Sequence, residues 1–414
     1  MVDSLINTFH NRKKTIIFGV FLACIFLGLD IYFIFGYINK TTETKLTYST
    51  EQTPTATATP ISTLPTASAA PTPIPVSYQV KGNQIIDSNG KTFIPYGVSL
   101  ADSLTSNAWQ TAYGFQYLNK AEIVAAHTFW NANTIVLPVA SSPLFQKTPY
   151  NTVYLAYIDQ VIAWAHAENM NTVLQLDYKH TSGQPTPNQD TLTFWSFMAT
   201  HYMTTPWVFF DLFDEPYINP SLGTTSIAWQ QWQNGIQSNP QVGMQQIVNT
   251  IRSAGNSNLI FAEGINHAET LAGIKSYLLT GGNIIYAVHP FFNSTGTNTP
   301  STWDTNFGSI ETTVPVVASS WSEYQASGSP ECYSTAPATV PTFLSYLQSH
   351  SIGLLGYALE PGLLIRGWSY NVPTSFDQLN YSCQNIPSQN ASPLAQGAGQ
   401  DIQTFLQTNN TYTP

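Results

Sequence analysis

The strongest chemical signal in the chain is a pair of adjacent carboxylates at the end of a hydrophobic segment. Residues 209–213 are almost entirely apolar and run directly into Asp214, Glu215 and Pro216. Cleavage of a glycosidic bond needs two carboxyl groups, one to protonate the leaving oxygen and one to attack or to activate water. A helix cap or a turn uses the same residue types. The motif alone therefore leaves a catalytic and a structural interpretation open.

Other polar residues follow further hydrophobic segments that we predict as strands. They are Asp177, Glu263, His289, Ser320 and Glu323. In a barrel of parallel strands the carboxyl ends meet at one mouth, so we expect these side chains to gather there. The aromatic residues Tyr286, Trp321 and Tyr357 are close in sequence to the same strand ends. Carboxylates together with aromatic faces favour carbohydrate chemistry.

The composition limits the possible functions. Aromatic residues make up 13% of the 414 residues and charged residues only 9%, which leaves rings for a core and for stacking on sugars. The net charge is −10 with only 13 Lys and Arg residues, so nucleic acid is not an expected partner. No C-x-x-C pair is present, and we expect no bound metal and no cofactor. Cys332 and Cys383 could form a disulfide in an oxidising space or remain two separate thiols.

The N-terminal part of the chain has the composition of a membrane anchor. Residues 15–38 are apolar except for Asp30 and are long enough to span a hydrocarbon core of ~30 Å. Basic residues end the segment 1–14, which predicts a cytoplasmic tail and a single-pass protein with its C-terminal domain outside the cell. A cleaved signal peptide is the alternative, but the apolar run is long and no A-x-A site follows it directly.

A spacer separates this anchor from the folded part. Residues 39–77 are rich in Thr and Pro and have no hydrophobic period, which is typical of an extended, disordered linker. Residues 78–414 are predicted as one domain, held away from the cell membrane by the linker. We expect this domain to be a monomer.

The domain alternates short apolar segments with longer amphipathic ones. Eight segments have the continuous hydrophobicity of strands buried on both faces: 94–99, 133–139, 172–177, 207–213, 258–262, 283–289, 314–319 and 353–359. One predicted helix buries Leu155, Ile158, Ile162 and Ala165. A second is predicted to open at Thr339, with Pro341 in its first turn. Eight tandem units predict a (β/α)8 TIM barrel, and a doubly wound sheet is disfavoured because no Gly-rich phosphate loop is present.

The segment around Glu215 resembles the E-L-x-N-E-P strand of glycoside hydrolase family 5, a family of retaining glycosidases that includes cellulases and mannanases. Other parts of the domain resemble the family in the same order: 82–87 with 90–91 and 97–98, 133–139, 286–289 and 314–321. The resemblance implies a barrel that acts on β-linked polysaccharide or oligosaccharide. It implies that Glu215 is the acid/base catalyst, that His289 is a subsite residue and that Tyr357 stacks on the sugar. Asp214, which stands where the family has an Asn, is a further predicted substrate contact, as are Tyr286 and Trp321.

Three positions depart from the family pattern around one carboxylate. With Pro315 fixing the register, Ser320 matches the family's glutamate nucleophile. Val136 matches an Arg that helps to hold this glutamate, and Phe291 matches a Tyr whose hydroxyl contacts it. The joint loss is physically consistent, because an arginine and a phenol without the carboxylate would be uncompensated polar groups.

Three functions follow from this pattern. In the first, Glu323 supplies the second carboxylate of a working hydrolase; a separation of about 5 Å from Glu215 would imply retention, and about 6.5–9.5 Å inversion. In the second, the barrel is an inactive carbohydrate-binding protein. In the third, it is a surface interaction protein without a sugar site, which predicts that Tyr286, Trp321 and Tyr357 are buried.

Overall fold

The computed structural model describes residues 77–100, 104–105, 118–177, 186–236, 240–292, 298–322, 336–359, 363–365 and 398–414. The predicted anchor (15–38), nearly all of the predicted linker, Cys332, Cys383 and Glu323 lie outside these residues. Within the described part of the chain, no helix has the length and apolar character needed to cross a membrane.

The described chain begins with a small antiparallel sheet and continues into a closed barrel. The sheet consists of β1 (Tyr78–Lys81), β2 (Gln84–Asp87) and β3 (Thr92–Phe93). The barrel strands are β4 (Tyr96–Ser99), β5 (Thr134–Val139), β6 (Asn171–Leu176), β7 (Val208–Asp211), β8 (Ile260–Glu263), β9 (Ile284–Val288), β10 (Val316–Trp321) and β11 (Gly353–Gly356). They pair in parallel in chain order, and β11 closes on β4. All eight predicted strands are confirmed.

Helices follow most of the barrel strands. They are α1 (Lys120–Thr128), α2 (Ser141–Phe145), α3 (Thr152–Ala167), α4 (Gln189–His201), α5 (Ser226–Asn234), α6 (Met244–Ser253), α7 (Pro300–Asn306), α8 (Ala336–Ser349) and α9 (Gly399–Asn409). Helix α3 buries the four residues predicted for its inner face. The prediction for α8 was wrong at its start: the helix opens at Ala336, so Pro341 lies inside it.

The segment after β8, the fifth strand of the barrel, departs from the predicted alternation of strands and helices. Residues 264–283, between β8 and β9, form only a 3-10 turn at Ile274–Ser276 and no α-helix. The expectation that a helix follows every strand is therefore corrected at this unit, while the eight-stranded parallel barrel stands.

Two buried layers hold the barrel. Its interior is filled by strand residues such as Val136, Phe209 and Phe261, and a larger cluster lies between strands and helices. At the amino-terminal end, the ring of Tyr78 packs 4.7 Å from Phe93 and 5.3 Å from Phe209. The small sheet therefore covers this end of the barrel, and the functional groups are found at the opposite, carboxyl end of the strands.

Candidate active site

The carboxyl ends of four neighbouring strands bring one group of polar side chains together. Gln175 is the penultimate residue of β6, Glu215 follows β7, Glu263 ends β8 and His289 follows β9. Because β6, β7, β8 and β9 are adjacent in the barrel, residues distant in sequence converge at its mouth. Of the residues expected at the mouth, Glu215, Glu263 and His289 lie in contact with one another.

Glu215 is held in an unusual backbone conformation. Its φ of +47° lies in the left-handed region, which costs a residue with a side chain roughly 1–2 kcal/mol. Its backbone N–H donates a hydrogen bond of 2.6 Å to Oε2 of Glu263, which helps to offset that cost. Its side chain is 32% exposed, so the carboxyl group is accessible from the mouth.

The Glu215 carboxylate faces two histidines. Its Oε1 lies 3.1 Å from Nδ1 of His289, and its Oε2 lies 3.9 Å from Nδ1 of His267. His289 is only 2% exposed, whereas His267 is 45% exposed. The closer contact, to a buried partner, is therefore the one with His289.

A second, fully buried glutamate completes this arrangement. Oε1 of Glu263 lies 3.0 Å from Nε2 of His289 and accepts a hydrogen bond of 3.2 Å from Gln175. The imidazole thus lies between two carboxylates. Burial alone would lower the pKa of His289, but the charge of Glu263 and the contacts with both glutamates raise it well above its ordinary value. The positively charged imidazolium is therefore the favoured form.

Two aspartates of the same motif favour the neutral form, whereas His289 favours the charged form. Burial, together with the charge of Glu263, raises the pKa of Asp211 and of Asp214 well above the ordinary value. Oδ2 of Asp211 accepts a long hydrogen bond of 3.4 Å from Gln175, while its buried Oδ1 has no hydrogen-bond partner among the described residues. The mouth therefore favours protonated aspartates next to a charged histidine.

The acidic cluster includes a spacing that a cation could use. One ligand atom each from Asp214, Glu263 and His289 lies within 4.8 Å of the other two. Nδ1 of His289 lies 3.1 Å from Glu215, and Nε2 lies 3.0 Å from Glu263 without hydrogen-bond geometry. The raised pKa of His289 favours a protonated ring, which cannot ligate a metal. We therefore assign no metal to these residues.

Two predicted sugar contacts are corrected by the structure. Trp321 is fully buried and packs 4.8 Å from the ring of Phe343 on α8, and Tyr286 is 2% exposed with its hydroxyl accepting from the N–H of Leu279. Both side chains belong to the layer between strands and helices. Neither ring is available to stack on a ligand at the mouth.

The remaining predicted positions have different outcomes. Tyr357 follows β11, is partly buried, and donates its backbone N–H to the Trp321 carbonyl. Ser320 is buried in β10, where the register with β11 shifts between Ala318 and Trp321 as in a β-bulge. The predicted second carboxylate, Glu323, lies outside the described residues.

The contacts of Gln175, Asp211 and Glu263 were not predicted. Gln175 is a polar residue between Leu174 and Leu176 in a strand buried along its whole length, which is a signal that sequence reasoning could have used. Its partners lie on two other strands, however, and which side chains meet depends on barrel geometry.

A parallel eight-stranded barrel with carboxylates and a histidine at its mouth is the architecture of a large class of hydrolytic enzymes. Residues 86–362 match the model of the cellulase family, glycosyl hydrolase family 5. The chain belongs to this family, and its membership supports a glycosyl hydrolase. A comparison with curated proteins found no match.

Solved structures of similar fold include a β-glucanase, an endoglucanase and an endocellulase. The β-glucanase from Saccharophagus degradans in complex with cellotetraose has a TM-score of 0.60 at 21% identity, covering 83% of this chain and 98% of that chain. The endocellulase of the archaeon Pyrococcus horikoshii has a TM-score of 0.59 at 15% identity, with 81% and 100% covered. The endoglucanase catalytic domain from Xanthomonas campestris pv. campestris gives 0.56 at 16% identity, with 80% and 99% covered. At these identities the likeness shows the fold.

Proposed function

We propose that this chain hydrolyses β-linked glucan, as polysaccharide or oligosaccharide, outside the cell membrane, with Glu215 as the general acid. The family supplies the reaction class, and the β-glucanase and endoglucanase neighbours favour a β-glucan over other sugars. His289 lies beside the acid, and the partly buried Tyr357 is the remaining candidate for stacking on the sugar.

The observation that carries this proposal is the setting of the Glu215 carboxyl group. It is accessible at the mouth, projects from a backbone conformation that must be stabilised, and contacts a buried histidine at 3.1 Å. A general acid needs such a fixed position, because proton transfer requires hydrogen-bond distance to the leaving oxygen. A carboxylate that served only as a helix cap or a turn would not need a buried imidazole.

The second carboxyl group is proposed to come from Glu323. Glu263 is unsuitable for this role because it is 0% exposed and cannot reach a sugar. Ser320 provides no carboxylate, and Glu323 lies only three residues beyond it. In the sequence, Glu215 follows β7 and Glu323 follows β10.

The test is the release of reducing sugar from β-glucans and cellotetraose by the full chain, compared with Glu215→Gln. We expect the variant to lose at least about 100-fold in kcat/KM, the lower range for general acid catalysis. Glu168→Gln, the same change beyond the carboxyl end of α3 and so on the other side of the barrel, is the control and should keep full activity. Equal rates for the wild type and Glu215→Gln would rule out the acid role.

A catalytically inactive carbohydrate-binding protein is the second candidate. It is favoured by Val136 and Phe291, which are apolar where the family holds its nucleophile with an Arg and a Tyr, and by Ser320 itself. Calorimetry with cellotetraose separates the two functions. Binding without any release of sugar by the wild type would favour the inactive protein.

The membrane location is part of the proposal. It rests on the apolar segment 15–38 and the basic residues before it. We expect the full chain to sediment with membranes and to be cut by protease added outside intact cells. Deletion of residues 1–38 should release it into the soluble fraction, and a wild-type chain that is already soluble would contradict the anchor.

A further inference from the structure

We infer that Glu263 is a positioning residue for the acid Glu215, acting on both its peptide group and its side chain. This inference rests on the proposed function, because it names Glu215 as the group that Glu263 positions. Glu263 itself is 0% exposed and so touches no substrate. Whatever it contributes to the reaction must pass through its neighbours.

The first connection runs through the backbone. Oε2 of Glu263 accepts the N–H of Glu215 at 2.6 Å, at the residue whose φ is +47°. The left-handed conformation is unfavourable for glutamate and is retained only when surrounding contacts hold it. A short hydrogen bond to a charged acceptor is a strong contact of this kind. It holds the backbone from which the Glu215 side chain projects.

The second connection runs through His289. Oε1 of Glu263 lies 3.0 Å from Nε2 of this imidazole, while Nδ1 lies 3.1 Å from Oε1 of Glu215. The geometry at Nε2 is not that of a hydrogen bond, so Glu263 acts on it by charge: a carboxylate at 3.0 Å favours the protonated ring, which leaves Nδ1 as a donor to Glu215. Glu263 thus favours the form of the histidine that donates to the acid.

The two carboxylate oxygens of Glu263 contact different groups. Substitutions that remove one contact or both therefore test the inference. Oε2 serves the Glu215 peptide, and Oε1 serves His289 and Gln175. Glu263→Gln keeps the shape but places a donor at one of the two oxygens, so it breaks one connection. Glu263→Leu removes both connections and fills most of the volume of the glutamate side chain. Glu122→Gln, a change at another glutamate of 0% exposure but on the outer helix α1, is the matched control.

The experiment measures kcat/KM of the full-length variants on two aryl β-cellobiosides. Phenol needs protonation as it leaves, whereas 2,4-dinitrophenol leaves without it. We expect Glu263→Leu to lose roughly 100-fold on the phenyl substrate and less than about 3-fold on the dinitrophenyl substrate. Glu263→Gln should fall between Glu263→Leu and the wild type, and Glu122→Gln should show no leaving-group dependence. Equal losses of Glu263→Leu on both substrates would overturn the inference, because a purely structural defect does not depend on the leaving group.

Crystal structures of the wild type and Glu263→Leu give a second readout that needs no turnover. We expect the Glu215 peptide to leave the left-handed region and the His289 ring to turn away from Glu215 in the variant. An unchanged Glu215 φ and His289 ring would overturn the inference. If the wild type cleaves neither substrate, the proposed hydrolase function fails, and the crystal structures alone decide the role of Glu263.

Discussion

His289 and His201 each lie close to a carboxylate, but in very different surroundings. His201 lies 2.9 Å from Asp159, and the two side chains are 33% and 42% exposed. His289 lies at similar distances from two carboxylates, with 2% exposure of its own side chain. An exposed pair contributes little because water screens it, whereas loss of one partner of a buried pair leaves an uncompensated charge.

This contrast predicts two different stability effects for one chemical change. His289→Gln should lower the free energy of unfolding by about 3–5 kcal/mol at pH 6, because the buried Glu263 loses its counter-charge. His201→Gln should lower it by less than about 1 kcal/mol. Urea unfolding of both variants measures the difference. Similar losses for the two would mean that the charge of His289 does not stabilise the mouth.

Asp211 allows a pH-dependent test of the charges at the mouth. Its folded-state pKa is raised by burial and by the charge of Glu263, so the folded protein binds this proton more tightly than the unfolded chain does. The stabilisation from Asp211 is therefore complete below the unfolded pKa of about 3.9 and is lost as the pH rises through the raised folded pKa. His289 acts in the same direction, with the loss beginning above about pH 6.5.

Asp211→Asn removes the ionisation while keeping the shape of the side chain. We expect its melting temperature relative to the wild type to increase between pH 4 and pH 8, by the equivalent of at least about 1 kcal/mol at pH 8. Thermal denaturation at each pH measures this, with Asp190→Asn on the exposed first turn of α4 as the control. A difference between Asp211→Asn and the wild type that is constant with pH would contradict a raised pKa at Asp211.

At the scale of elements, the eight strands could be predicted because strands buried on both faces have continuous apolar sequences. The position of Asp214 and Glu215 at the mouth followed from the same pattern. The roles of Tyr286 and Trp321 could not be predicted, because motif position does not say which face of a strand packs under a helix. The contacts of Glu263 were missed because they join four strands, and the sequence period of any one strand does not contain them.

Strand β10 leads into the proposed second carboxyl group, Glu323. Its register with β11 shifts between Ala318 and Trp321, as in a β-bulge, and Glu323 follows this strand in the sequence. We expect Glu323→Ala to reduce kcat on cellotetraose at least about 100-fold while its binding stays within about 3-fold, because a second carboxyl group acts in the transition state. Ser320→Ala, on the same strand, should have a much smaller effect. Full turnover by Glu323→Ala would show that another group acts with Glu215.

At the scale of the molecule, the two ends of the described domain meet below the barrel. Tyr412 packs 5.0 Å from the ring of Phe93 and donates its hydroxyl to Oδ2 of Asp87 at 2.9 Å, while Nζ of Lys91 donates to the Thr413 carbonyl. Asn133, at the start of β5, donates to the side chain of Asn410. The C-terminal segment thus contacts both the small sheet and the amino-terminal end of the barrel, opposite the mouth.

Because the C-terminal segment lies far from the mouth, we expect a substitution in it to change stability and leave catalysis unchanged. Tyr412→Ala should lower the free energy of unfolding by about 2 kcal/mol, since it removes both the ring packing and the hydroxyl, and Tyr412→Phe by about 1 kcal/mol, since it removes only the hydrogen bond. Thr411→Ala on the exposed side of the same segment should change it little. Guanidinium unfolding measures these values, and kcat/KM on cellotetraose at 20 °C should equal that of the wild type. A loss of activity in fully folded Tyr412→Ala would mean that the closed end of the barrel is coupled to Glu215 at the mouth.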